Sequence, residues 1–166
     1  MNEQLLEDMI KDIISSMGKK EQQTTNTVDK TLTTKDYPIQ EKHPELIKTP
    51  TNKTLDDITI DKVVSGDITS SDIRVAPDTL ELQAQVAESA GRKALAKNLR
   101  RAAELTAVPD NRIIEVYNAL RPNRSTKEEL LAIASELEQQ YQATINADFV
   151  REAAEVYAKR DILRVD

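Results

Sequence analysis

Residues 125–141 read STKEELLAIASELEQQY, and they set the class of this protein. Leu130, Leu131, Ile133, Ala134, Leu137 and Tyr141 recur at spacings of three and four, which places them on one face of a helix. Ser125 with Glu128, and Thr126 with Glu129, both fit the capping-box spacing, so the helix start is marked twice. Apolar positions at that period, opened by a cap, predict an amphipathic helix that needs other helices to cover it.

The neighbouring sequence supplies them. Pro109 opens a helix holding Ile113, Ile114, Val116, Tyr117 and Leu120, and Pro122 ends it. Upstream, Leu95, Leu99, Ala102, Ala103 and Leu105 mark a helix that Gly91 separates from an earlier one. That earlier helix starts at Pro77 and Asp78 and turns Leu80, Val86, Ala87 and Ala90 inward. A last helix, from about Ala147 to Lys159, presents Phe149, Val150, Ala153, Ala154 and Tyr157. Five helices without a convincing strand predict an all-α bundle over residues 76–166.

Residues 37–75 have another character. Pro38, Pro44 and Pro50 favour extended backbone, so this segment reads as an arm lying along a surface, its own domain's or a partner's. Thr59, Ile60, Val63, Val64 and Gly66 predict one short helix in it, and Thr69 to Asp72 one turn. Residues 19–36 are rich in Thr, Lys and Gln, with only Val28 and Leu32 apolar; they read as a disordered linker spanning roughly 20–25 Å. Ahead of it, Leu5, Leu6, Met9, Ile10, Ile13, Ile14 and Met17 form one stripe of an amphipathic helix over residues 2–17, capped by Asn2 and stopped by Gly18.

Composition removes several classes of function. The 166 residues contain no Cys, no Trp and one His, and the formal net charge is −6. Disulfides and cysteine or multi-histidine metal sites are therefore out. The acidic balance argues against gripping a phosphate backbone, and no apolar run is long enough to span a membrane. Three scattered glycines exclude phosphate-cradling loops. His43, in Lys42-His43-Pro44-Glu45, has no triad or metal partner nearby in sequence, so a surface or packing role is expected. Asp56, Asp57 and Asp61 lack the alternation of a calcium loop and read as helix-start acids. Arg92, Lys93, Lys97, Arg100 and Arg101 form the one basic cluster, read as partner contact or as a solvated face paired with Glu88 and Glu104. No self-sufficient active site can be assembled, and no catalytic, cofactor-binding or metal-binding residue is assigned.

Several strings carry a resemblance. Residues 101–110 (RAAELTAVPD), 117–122 (YNALRP) and 124–134 (RSTKEELLAIA) resemble the small (γ) subunit of the adenosylcobalamin-dependent diol and glycerol dehydratases. So do 36–38 (DYP), 43–45 (HPE), 52–57 (NKTLDD) and 149–154 (FVREAA). The likeness runs from about residue 36 to the C-terminus. It implies a helical γ subunit in a dimer of αβγ heterotrimers. The large α subunit, a TIM barrel, holds the substrate, and adenosylcobalamin lies between it and the medium β subunit, so this chain binds no cofactor itself. The implied reaction is radical dehydration of 1,2-propanediol to propionaldehyde, or of glycerol to 3-hydroxypropionaldehyde. Tyr37, Pro38, His43, Pro44, Asn52, Lys53 and Leu55 fall in the matching strings of the arm and become the expected subunit interface.

The N-terminal extension resembles that of the diol dehydratase branch, since glycerol dehydratase small subunits start close to the Tyr-Pro motif. Its helix also resembles the targeting helices that dock cargo inside bacterial microcompartments. That implies shell proteins as partners of residues 1–17 and a cytoplasmic location within such a compartment. Folding back on its own subunit, or self-association, is the alternative. A membrane anchor fits poorly, with Glu3, Glu7, Asp8 and Asp12 against Lys11 on the polar face. Beyond the family, a free-standing helical adaptor working through its basic face is the competing reading.

Overall fold

The computed structural model of the protein describes residues 31–165. The expected N-terminal helix and most of the expected linker lie outside the described residues. Within them the chain forms seven α-helices: α1 (Ile39–Lys42), α2 (Ile60–Ser65), α3 (Pro77–Ser89), α4 (Lys93–Leu105), α5 (Asp110–Ala119), α6 (Lys127–Tyr141) and α7 (Thr144–Lys159). Three 3-10 turns, Thr34–Asp36, Pro44–Leu46 and Leu55–Asp57, sit in the arm. The only β pairing among the described residues is an isolated bridge between Lys48 and Thr54. The all-α expectation holds.

The bundle is built from two helical hairpins, α3 on α4 and α6 on α7, joined where α4 packs on α7. Gly91 ends α3 with φ +76, a left-handed conformation that costs a β-carbon-bearing residue about 1 kcal/mol or more. The seam between α3 and α4 is made of small residues, Ala84, Ala87 and Ala96, with Leu99 beside them. The main core joins Val108, Leu130, Ala134, Leu137, Val150 and Ala154. Leu130 and Val150 are the largest side chains fully buried in that core. Burying each contributes about 1.5–3 kcal/mol. At the bundle's far end Tyr157 Oη donates to the Leu120 carbonyl oxygen at 2.5 Å. The C-terminal segment is fastened there too, with Arg164 N–H on the Ser125 carbonyl and its guanidinium on Glu129, both at 2.9 Å.

Several local expectations are corrected. Of the two possible capping boxes, only Thr126 with Glu129 forms. Ser125 instead turns back and donates to the Ala119 carbonyl at 3.0 Å. The last helix begins at Thr144, because Glu104 of α4 supplies acceptors for its first N–H groups. Ala90 is exposed, since it follows the last turn of α3, while Thr79 and Ala84 take the inward positions. In α5, Ile113 and Val116 face the core, whereas Ile114 and Tyr117 are 61% and 69% exposed.

The linker also ends sooner than expected. Leu32 is 1% exposed and forms a small cluster with Ile39 and Val86, against which Leu46, Ile47 and Leu82 pack. Its N–H donates to Gln85 Oε1 of α3 at 3.0 Å. A lone apolar residue in a polar run carries no period, yet here it is the anchor from which the arm starts.

Candidate subunit interface

The arm has little apolar core, so polar devices must order it. It uses one device three times: a Thr whose backbone N–H and hydroxyl both donate to the Asp three residues on. In Thr33–Asp36 the two distances are 2.8 and 3.0 Å. They are 2.9 and 2.8 Å in Thr54–Asp57, and 2.7 Å for both in Thr69–Asp72. Each Asp accepts two hydrogen bonds from its Thr, which is how these short turns stay folded with little apolar core.

The expected interface residues separate into two groups around these boxes. His43 lies in the first. Its Nε2 is 3.0 Å from Asp36 Oδ1 and its Nδ1 is 3.4 Å from Glu45 Oε1. The imidazole thus bridges the Thr33–Asp36 turn to the Pro44–Leu46 turn. Tyr37, 66% exposed, and Pro38 stand beside it on the rim of an open groove of about 840 Å³. Ile39, Leu82, Val86 and Leu95 wall that groove, with Gln83 and Arg92 at its edges.

The second group surrounds Asp72, which is 6% exposed. Lys53 Nζ lies 3.1 Å from Asp72 Oδ1 and donates to the Asp67 carbonyl at 3.1 Å. Thr51 Oγ1 donates to the same Asp72 oxygen at 2.7 Å. Asn52 takes φ +62 to make the turn that brings Thr51 and Lys53 there, a conformation Asn tolerates better than most residues. The donors from Thr69, Thr51 and Lys53 hold the Asp72 carboxyl well below the usual carboxylate range. The Thr54 N–H, helped by its hydroxyl and by Lys62, lowers Asp57 in the same direction. Asp57 is therefore a turn-start acid. Leu55, beside it, is 48% exposed.

Lys53 and His43 are thus internal ties of the arm, while Tyr37 and Leu55 present apolar surface to solvent. The residues that sequence reasoning passed over are further exposed aliphatics. Ile60 and Val64 on α2 are 81% and 82% exposed, and Ile73 and Val75 are 60% and 47% exposed. Ile60 and Val64 belong to the pattern that predicted a short helix; burial was the missing information.

The basic cluster divides. Arg100 pairs with Glu81 at 3.1 Å and Glu88 at 2.7 Å, and these two hydrogen-bonded carboxylates raise its pKa. Arg101 stacks over Phe149, 3.8 Å from the ring centroid, with its Nε buried and without a hydrogen-bond partner. Glu88 pairs with Arg100 and Glu104 caps α7, so neither expected pairing, Glu88 with Arg92 or Glu104 with Arg101, forms.

No group of three or more His, Cys, Asp or Glu side chains is placed to hold a metal among the described residues. Nor do those residues fit a corrin. The single imidazole has both ring nitrogens against carboxylates and is not among the residues that line the open groove. No chemical step is assigned through a cofactor on these residues. No described helix is long and apolar enough to cross a membrane.

Comparison with known proteins adds the remaining observations. Residues 32–164 match the family model described as dehydratase small subunit. The chain is 52% identical to the propanediol dehydratase small subunit of Citrobacter freundii, over 100% of this chain and 99% of that one. It is also 52% identical to the propanediol dehydratase small subunit of Salmonella typhimurium strain LT2, with the same coverage.

Proposed function

This chain belongs to the dehydratase small-subunit family, and on that premise we propose that it is the non-catalytic small subunit of a propanediol dehydratase. The observation that carries the reading is the 52% identity along the full length of both relatives. The arrangement of the arm supports it, because His43, Lys53, Asp57 and Asp72 are engaged in its turns and ion pairs. In this reading the larger subunits hold substrate and adenosylcobalamin, which supplies the radical chemistry that converts 1,2-propanediol to propionaldehyde. The chain's own work is assembly, in a dimer of heterotrimers, with the arm over residues 37–75 lying against a larger subunit. Residues 1–17 dock the enzyme inside a bacterial microcompartment in the cytoplasm. Glycerol as the preferred substrate is the alternative, and the named relatives favour the diol.

The reading is tested on the assembled enzyme. Replacing the only imidazole, His43→Gln, leaves turnover of 1,2-propanediol per assembled complex unchanged. A large loss of turnover in a complex that still assembles would put chemistry in this chain. Deleting residues 1–31 leaves dehydration intact and abolishes compartment localisation. Loss of dehydration on that deletion would assign the segment to the catalytic assembly.

A further inference from the structure

Six large apolar side chains, of α2, of the segment that follows it and of α5, are exposed, and they take no part in the packing of the described residues. Ile60 and Val64 occupy one stripe of α2, a helix with a Thr59 cap, a Gly66 stop at φ +85 and no buried residue. Six residues make too short a helix to persist on local propensity. It is held by its ends, through Thr59 and the Ile68 N–H, which donates to the Lys62 carbonyl at 3.0 Å. Ile73 and Val75 flank Arg74, whose guanidinium lies 3.2 Å from Asp110 Oδ2 at the start of α5. Asp110, Ile114 and Tyr117 follow one another at spacings of four and three, so they share a stripe of that helix. The Arg74–Asp110 pair thus brings Ile73 and Val75 to the start of α5, with α2 a few residues upstream along the arm.

We propose that Ile60, Val64, Ile73, Val75, Ile114 and Tyr117 form the docking face for a larger subunit of the dehydratase, one that presents an apolar centre with a basic rim. The inference rests on the family reading above and locates its interface on these residues, with His43, Asn52 and Lys53 serving as the arm's internal ties. Three observations select this occupant. All six residues lie within the span 32–164 that matches the family. Side chains of this size and exposure supply several hundred Å² of apolar surface, of the order of one side of a stable interface at about 800 Å². This part of the arm is acidic: from residue 54 to 75 it carries Asp56, Asp57, Asp61, Asp67 and Asp72 against Lys62 and Arg74. Two copies meeting through this face would bring like charges together, whereas a basic-rimmed partner would be attracted.

The test uses the three-chain enzyme with an affinity tag on the large subunit. The wild-type chain is recovered with its partners, and hydrogen exchange in the complex, against the free chain, slows over residues 60–75 and 114–117. Ile60→Asp with Val64→Asp, and separately Ile114→Asp with Tyr117→Asp, weaken recovery about 100-fold, as loss of an interface hot spot does. Lys93→Asp with Lys97→Asp, on the exposed side of α4, does not. Recovery of both aspartate variants at the wild-type level, or exchange unchanged over those residues in a complex that forms, overturns the docking face while leaving the family reading intact. Self-association of the free chain that these variants abolish overturns it in favour of a second copy. Failure of the wild-type chain to be recovered at all overturns the small-subunit reading and the face with it.

Discussion

Glu104 on α4 caps α7 through Asn146: its Oε2 accepts from the Asn146 backbone N–H at 2.9 Å and from the Asn146 side-chain amide at 2.7 Å. Glu104 Oε1 takes the Ile145 N–H at 2.9 Å, and the Asn146 amide also donates to the Arg101 carbonyl at 3.0 Å. One carboxylate therefore satisfies two of the N–H groups that a helix start leaves unpaired, and it ties together helices about forty residues apart in sequence.

Removing that carboxylate should destabilise the bundle as a whole. Glu104→Ala leaves the first α7 N–H groups without their acceptor and the 4% exposed Asn146 amide with the Arg101 carbonyl alone, at a cost of about 2 kcal/mol. The melting temperature, followed by circular dichroism, then falls by roughly 8 °C or more. Glu104→Gln keeps part of the acceptor geometry and loses less. An unchanged melting temperature in Glu104→Ala would show that solvent caps α7 equally well.

Leu32 should govern whether the arm stays on the bundle. Its side chain is fully buried against Ile39 and Val86, so Leu32→Ala removes about 2–5 kcal/mol from that cluster. The cluster is separate from the main core around Leu130. Hydrogen exchange should therefore accelerate over residues 33–47 and remain slow in α6 and α7. Uniform acceleration would mean that the arm and bundle unfold as one unit.

Acid should release the arm through its Thr–Asp turns. Asp72 and Asp57 titrate in the folded chain below their unfolded values near ~4, because N–H and hydroxyl donors reward the charged form. Between folded and unfolded values the unfolded chain carries the extra protons, so stability rises with pH. The contribution is complete above about pH 5 and is lost as pH falls through ~4 toward the folded values. Amide exchange at Thr69 and Asp72, followed from neutral pH downward, should show this loss, and Asp72→Asn should flatten it. Glu129, lowered chiefly by Arg164 and then by the Thr126 N–H, adds the same sign of dependence at the bundle's capped helix.

The bundle was legible because its signals are local. Capping residues, prolines at helix starts and the period of Leu130, Ala134 and Leu137 all act within a few residues of one another. What escaped depends on contacts distant in sequence. Nothing near Leu32 announces Val86, and the three-residue spacing of Glu104 and Arg101 suggested a surface ion pair, whereas Glu104 reaches α7. Periodicity also cannot say which edge of a broad apolar stripe meets the core, and so Ile114 and Tyr117 looked equivalent to Ile113 and Val116. Within the strings expected to form the interface, composition does not separate internal ties such as Lys53 from exposed surface such as Leu55.

The central claim is that this chain assembles a dehydratase and contributes no chemistry of its own. Sedimentation velocity tests it most directly, with the full chain mixed at micromolar concentration with the large and medium propanediol dehydratase subunits. The account predicts a single fast boundary containing all three chains, active on 1,2-propanediol once adenosylcobalamin is added. A chain that stays in its own slow boundary while its partners sediment without it would contradict the account.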